Sequence, residues 1–302
     1  MAQALRLVLA CTICRMGQIQ ACCCSSREHS TPVDDKYDIS NFIDENTPKI
    51  RIGSSDAAVT AVAASMNLKK VQESKPFKDW IDAVAKEERV LISHIHIQSV
   101  DLFGREERIG FIKFISDARV DGQKVPGIVF MRGGSVAILV NMHFEGKVYT
   151  LCVRQTRLPV ADSGFLEIPA GMIDDNGNLA GVALKEMKEE TGITLAESDL
   201  IDMTHLAYAE KYPGVYPSCG SSDEFNRIFL FQKSVTQEEL DELNGKFTGV
   251  GSESITLQIL PFQDLWKRSP SSQALAALTL YSRLQAAGRI PAPQAPSDCT
   301  IA

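Results

Sequence analysis

No stretch of this chain approaches the ~20 consecutive apolar residues that a membrane-spanning helix needs, so the sequence offers no helical span. Positive charge is in short supply: 31 Lys and Arg stand against 38 Asp and Glu, a formal net charge of -7. That balance argues against a nucleic-acid binder, whose contact face is basic, and it means that an anionic ligand must be drawn in by metal and local arginines. Cysteine is sparse after the N-terminus, since five of the eight precede residue 25. A disulfide framework is therefore excluded, and reduced, intracellular thiols are the expectation. Cys11 and Cys14 form a CxxC without a second pair or a nearby βαβ pattern, so zinc or redox chemistry lacks support there. No internal repeat is present.

What remains is an ordinary globular composition, 44% hydrophobic over 302 residues. It is long enough for one large domain or two small ones with a full core. Residues 1–47 make a poor candidate for a packed domain. Residues 48–88 read as a helical lead-in, with short helices over 57–66 and 77–85. Alternation in LISHIHI (91–97) and IGFIKFI (109–115) predicts strands within a β-domain at 89–131. A larger domain follows at 132–290, with strands over 135–142, 147–153, 228–232 and 255–259 and a closing helix over 272–287. The PAPQAPS run begins a flexible tail, 291–302. His94 and His96 share a strand face at a spacing that could ligate metal, but without a Cys or carboxylate partner a plain strand face is the reading. Cys152 reads as a core strand residue.

The most informative segment is GMIDDNGNLAGVALKEMKEETGI, residues 171–193. Good helix formers run over 179–191, and Gly192 stands where a left-handed cap would end the helix. Ala180, Ala183 and Met187 form an apolar stripe. Glu186, Glu189 and Glu190 stand at i, i+3 and i+4 and are expected to point the same way. Hard cations such as Mg2+ keep several waters and share one or two carboxylates with substrate phosphates, which suits an acidic helix behind a glycine loop.

That segment resembles a Nudix box, with Gly171, Glu186, Met187, Glu189, Glu190, Gly192 and Ile193 in register. The preceding LEIPAG (166–171) resembles the entry of the box in the branch that cleaves nucleoside diphosphate sugars and ADP-ribose. VDLFG (100–104), GFIKF (110–114) and QKVPGIVF (123–130) extend the similarity, which is closest to the plant-type ADP-sugar diphosphatases. Two positions depart from the pattern. Gly177 replaces the first box Glu, whose place Asp174 or Asp175 could serve, and Lys185 replaces an Arg, losing its planar fork of donors.

The resemblance implies an α+β protein: a Nudix fold, an α/β/α sandwich with a mixed sheet, preceded by a small N-terminal antiparallel β-domain. It implies Mg2+, or Mn2+, held by Glu186, Glu190 and the Ala170 carbonyl, with Glu189 as a catalytic carboxylate beside them. It implies Glu253, in GVGSESI (249–255), as the base that deprotonates the attacking water. Arg132, Arg157, Glu167 and Glu224 are expected around a nucleotide-sugar substrate, an ADP-sugar such as ADP-glucose being favoured. ADP-ribose and UDP-glucose are runners-up, and a catalytically weak ligand sensor is the alternative from another class. YPSCGSSDE (216–224) resembles the branch's Ser-Pro-Gly-Gly loop, with Cys219 and Ser221 as departures. A homodimer through the N-terminal β-domain is implied as well.

The ends carry targeting signals of lower specificity. Arg6, Arg15 and Arg27 with no acid before residue 28 are compatible with an organellar transit peptide, plastid or mitochondrial, beside a cytoplasmic reading. MGQIQACCC (16–24) and CTIA (299–302) resemble acylation and prenylation signals, so membrane association is expected only if the termini carry lipid.

Overall fold

The computed structural model describes residues 39, 42–63, 66–104, 108–173, 178–249 and 254–291. Its first layer is a six-stranded sheet of β1 (Lys49–Ile52), β2 (Ser55–Ala61), β3 (Val90–Phe103), β4 (Arg108–Val120), β5 (Gln123–Val125) and β6 (Ile128–Met131). Between β2 and β3 run helices α1 (Leu68–Glu73) and α2 (Lys75–Val84). Asn67 caps α1, its side chain accepting from the Lys70 amide at 3.0 Å. Pro76 opens α2, where its missing N–H costs nothing.

Of residues 57–66, expected as a helix, 57–61 instead belong to β2. The alanines there favour a helix in isolation, but all of Ala57, Ala58, Val59 and Thr60 are buried. A strand placed between two others buries both faces, and that tertiary gain outweighs a propensity difference of less than ~1 kcal/mol per residue. The lead-in at 48–88 therefore holds two strands as well as two helices. The sheet is antiparallel apart from β2 and β3, which pair in parallel, Thr60 opposite His96. A parallel pair requires a crossover connection, and α1–α2 is that crossover. It lays Phe77 and Ile81 of α2 on a core with Val59, Ile95, Ile97, Ile112 and Phe114.

His94 and His96 lie on the other face, both buried, and share one hydroxyl. Thr60 Oγ1 stands 2.6 Å from His94 Nε2 and 2.8 Å from His96 Nδ1, and Phe42 stacks on His96 with ring centroids 4.1 Å apart. Burial pushes both imidazoles below their ordinary pKa, His94 additionally through His96. Among the described residues no group of three or more His, Cys, Asp or Glu is placed to hold a metal.

The second sheet has eight strands: β7 (Ser135–Phe144), β8 (Lys147–Arg157), β9 (Asp162–Glu167), β10 (Ala170–Met172), β11 (Leu200–Asp202), β12 (Asn226–Ser234), β13 (Phe247–Thr248) and β14 (Ile255–Pro261). Its central pair, β7 and β12, is parallel and the other pairings are antiparallel, which makes the sheet mixed. Helices α3 (Leu179–Glu186), α4 (Met203–Tyr208), α5 (Gln237–Leu243), α6 (Leu265–Arg268) and α7 (Ser272–Ala286) cover it. On one face Val136, Ile138 and Val140 of β7 pack with Val182 and Ala183 of α3 and Leu240 of α5. On the other, Ala137 and Leu139 pack with Ala274, Ala277 and Leu284 of α7. A strand covered on both faces reads as a continuous apolar run, as SVAILVNM does. The result is an α/β/α sandwich behind an N-terminal sheet. Cys152 lies wholly inside it, and burial pushes its thiol up to about 12.

Candidate active site

Three short elements bring the acidic helix to a cleft. β10 pairs with β7, Gly171 opposite Val136, and ends just before the loop at 174–177, which lies outside the described residues with Asp174, Asp175 and Gly177. Asn178 then caps α3, accepting from the Gly181 amide at 2.9 Å. After Glu186 the helix changes winding: Met187–Thr191 is a π turn, closed by Gly192 at φ 78. Thr248 Oγ1 donates to the Glu190 carbonyl at 2.5 Å, satisfying a group that the altered winding exposes.

The π turn decides which carboxylates meet. Glu190 is 4% exposed, and its Oε2 accepts from the Ala170 amide at 3.0 Å. Glu186 lies against the next residue so closely that a Cβ on Gly171 would stand 2.0 Å from its carboxylate carbon. Gly171 is thus required by close approach of a side chain. Glu186 and Glu190 both line the cleft with Ala170. Glu189, expected to point with them, is not among the residues that line the cleft; its Oε2 stands 3.8 Å from Nζ of Lys185, which does line it. A π turn puts more residues in each revolution, so the i+3 position swings away while i+4 stays aligned. Such turns recur at functional sites, and no periodicity in the sequence announces this one.

Two arginines also line the cleft. Arg157 Nε donates to Glu167 Oε2 at 2.6 Å, and Gln155, two residues earlier on β8, reaches Glu190 Oε1 at 3.5 Å. Arg132 pairs with Glu224. Its backbone is held by a residue that the sequence reading did not single out: Asp223 Oδ1 accepts from the amides of Arg132 at 2.7 Å and Gly133 at 3.1 Å. Burial pushes the Asp223 carboxyl up, those two amides oppose the rise, and the Glu224 charge adds to it. The signal for Asp223 was its place next to Glu224, and for Gln155 its i, i+2 spacing from Arg157 on one strand face. Glu253 lies outside the described residues.

The cleft has a volume of about 1080 Å³, room for a nucleotide-sized ligand. Two carboxylates and backbone carbonyls are hard oxygen donors, the set that Mg2+ or Mn2+ takes when substrate phosphates and water complete its shell. The Gly171 cradle, which has no room for a Cβ, lets the Glu186 carboxylate lie against the backbone at Gly171. These residues fit a divalent cation.

Comparison with known proteins gives consistent results. The NUDIX domain family pattern matches residues 131–278. The chain is 35% identical over 244 residues to "Nudix hydrolase 14, chloroplastic" of Arabidopsis thaliana, covering 77% of this chain and 78% of that protein. It is 29% identical over 149 residues to an ADP-ribose pyrophosphatase of Bacillus subtilis, covering 49% of this chain and 69% of that one. Among solved structures, an ADP compounds hydrolase aligns with a TM-score of 0.44 at 18% identity, over 67% of this chain and 98% of its own.

Proposed function

This chain belongs to the Nudix hydrolase family, and from that premise we propose that it cleaves the diphosphate of a nucleoside diphosphate sugar to a nucleoside monophosphate and a sugar phosphate. The observation that carries the reading is the convergence of Glu186 and Glu190 on the backbone at Ala170 and Gly171, in a cleft that also holds Arg132 and Arg157. Glu186, Glu190 and the Ala170 carbonyl would hold Mg2+. When bound, such an ion neutralises phosphate oxygens and lowers the pKa of water. Arg132 and Arg157 offer planar donor forks to the diphosphate, each held in place by its carboxylate partner, Glu224 or Glu167. The proton of the attacking water passes to Glu253, the role its loop has by resemblance. Glu189, 3.8 Å from the cleft-lining Lys185 ammonium, keeps the catalytic role that the resemblance gives it.

An ADP-sugar is the favoured substrate. The Bacillus relative, an ADP-ribose pyrophosphatase, supports an ADP-linked substrate, beside the Arabidopsis relative, which is named as a Nudix hydrolase. The latter is named chloroplastic, which supports an organellar location for this chain as well. A homodimer through the N-terminal sheet is part of the same reading, supported by the exposed Leu102, Ile128 and Phe130.

The test is a panel of ADP-ribose, ADP-glucose, UDP-glucose and GDP-mannose with Mg2+, reading release of the nucleoside monophosphate. Release from the ADP-sugars ahead of the others is the expected outcome. Tight binding of all four without release would favour a ligand sensor instead.

A further inference from the structure

Arg132 is joined to β7 only through Gly133 and Gly134, and two glycines impose little on the chain. Gly133 has φ 80, and a Cβ on Gly134 would stand 2.3 Å from the Phe225 ring. What fixes this segment is a second one, 221–226, lying beside it. The Phe130 amide donates to the Ser221 carbonyl at 2.7 Å, the Arg132 and Gly133 amides to Asp223, and the Ser135 amide to the Phe225 carbonyl at 2.8 Å. The last rung is Asn226, the first residue of β12, 1% exposed and paired with Ser135. Asn226 Nδ2 donates to Ser135 Oγ at 2.7 Å and stands 3.5 Å from Glu224 Oε1, the same oxygen that accepts from Arg132 Nη1. An amide nitrogen carries two hydrogens, one for each of these acceptors, and Oδ1 in its place would face a carboxylate, so the amide orientation is set. Gln273, the second residue of α7, donates to Ser135 Oγ at 3.2 Å. A chain of side chains thus runs from α7 through β7 and β12 to the carboxylate that holds Arg132.

We propose that Asn226 is a positioning residue for Arg132, acting through Glu224, with Ser135 and Gln273 as its supports. The proposal rests on the hydrolase reading only in taking Arg132 as a ligand of the diphosphate. Asn226 is not part of the cleft lining, whereas Arg132 is, so its action is indirect. The Glu224 side chain is 18% exposed and sits on a loop. With Asn226 and Arg132 converging on one of its oxygens, the carboxylate stays over the glycine segment and the guanidinium stays in the cleft. Without the amide, Glu224 is free to rotate toward water, and Arg132 on its two glycines follows. Preorganising a charged donor in this way strengthens ground-state binding, so the effect belongs in KM. Ser135 accepts from Asn226 and from Gln273 at once, which uses both of its lone pairs and holds the Asn226 amide in its plane. Their removal acts one step further away and is correspondingly weaker.

The test is a double-variant cycle with ADP-ribose as the probe. Asn226→Asp keeps the side-chain shape and puts an acceptor where Glu224 needs a donor. It should raise KM roughly tenfold with kcat within about twofold of wild type. Gln273→Leu, at the far end of the chain, should raise KM by about twofold to threefold. Because the effect passes through one guanidinium, adding Asn226→Asp to Arg132→Ala should cost less than about twofold more than Arg132→Ala alone. Losses that multiply in the double variant overturn the proposal, and so does a fall in kcat at unchanged KM. Should Asn226→Asp fail to fold, the same cycle with Gln273→Leu decides by the same criteria. A second readout needs no turnover: the Arg132 Nε–H signal in the nitrogen-15 NMR spectrum, assigned by its loss in Arg132→Ala, should shift or broaden in Asn226→Asp and Gln273→Leu. An unmoved signal in both overturns the proposal. If the wild-type protein cleaves no nucleotide sugar, the hydrolase reading fails by itself, and the Arg132 signal still decides the role of Asn226.

Discussion

Two helices line one cleft and were assembled in different ways. α3 and its π turn reach the site from nearby chain: the Glu190 carboxylate finds the Ala170 amide only 20 residues away. α2 reaches it through the topology of another sheet, as the crossover that lets β2 and β3 run parallel. The contrast shows why one end of the cleft carries a recognisable motif and the other does not. Chemistry at the carboxylate end depends on spacing within a single loop-helix unit. The α2 wall depends on a helix being laid across a sheet, where Trp80, three residues after Phe77, packs partly on the N-terminal core and also lines the cleft.

The comparison can be broken first at the carboxylate end, where effects should be largest. Gly171→Ala introduces a Cβ into the space of the Glu186 carboxylate at an ordinary φ. Because misorienting a metal ligand costs roughly 10–100-fold, kcat for ADP-ribose should fall by at least about tenfold while the melting temperature stays near wild type. An unchanged kcat would mean that Glu186 has no part in the chemistry.

A second break concerns the support beneath Arg132. Asp223→Ala leaves the Arg132 and Gly133 amides without their acceptor, and should cost roughly 1–3 kcal/mol of stability and raise KM. Asp223→Asn keeps the acceptor oxygen and removes a charge that burial already disfavours, so its stability should match or exceed wild type. Denaturation midpoints for both variants decide the point, and equal losses would show that the charge, not the acceptor, matters.

The smallest effect is expected at His94 and His96 of the N-terminal sheet, which do not line the cleft. His94 and His96 have folded-state values below the ordinary 6.5, through burial first. Their contribution is complete above that value, and it is lost as pH falls from there toward the depressed folded values, because only the unfolded chain binds the protons. The melting temperature should decline by a few degrees from pH 7 to 5.5, partly offset at His94 by Asp117. A His94→Gln, His96→Gln double variant should flatten that decline, and an unflattened curve would place the acid sensitivity elsewhere.

Much of the second sheet was legible because burial on both faces leaves a plain signature. The strands expected over 135–142, 147–153, 228–232 and 255–259 appear as β7, β8, β12 and β14, each extended by a few residues, and the closing helix appears as α7. Gly192 was placed from residue type alone and has the positive φ that the position requires. β2 was not legible, since Ala57 and Ala58 carry helix propensity and only their neighbours in the sheet make them a strand. Nor was the π turn, whose residues are those of any good helix. Asp223 acts through backbone amides about ninety residues earlier, a contact that no local pattern encodes.

The most direct test of the central claim is to follow ADP-ribose by phosphorus NMR with Mg2+, comparing wild-type protein with Glu190→Gln. The account predicts that wild type converts the diphosphate signals to two phosphomonoesters only when Mg2+ is present, and that Glu190→Gln is slower by more than about a hundredfold. Equal conversion by the variant, or by wild type in the presence of a chelator, would contradict it.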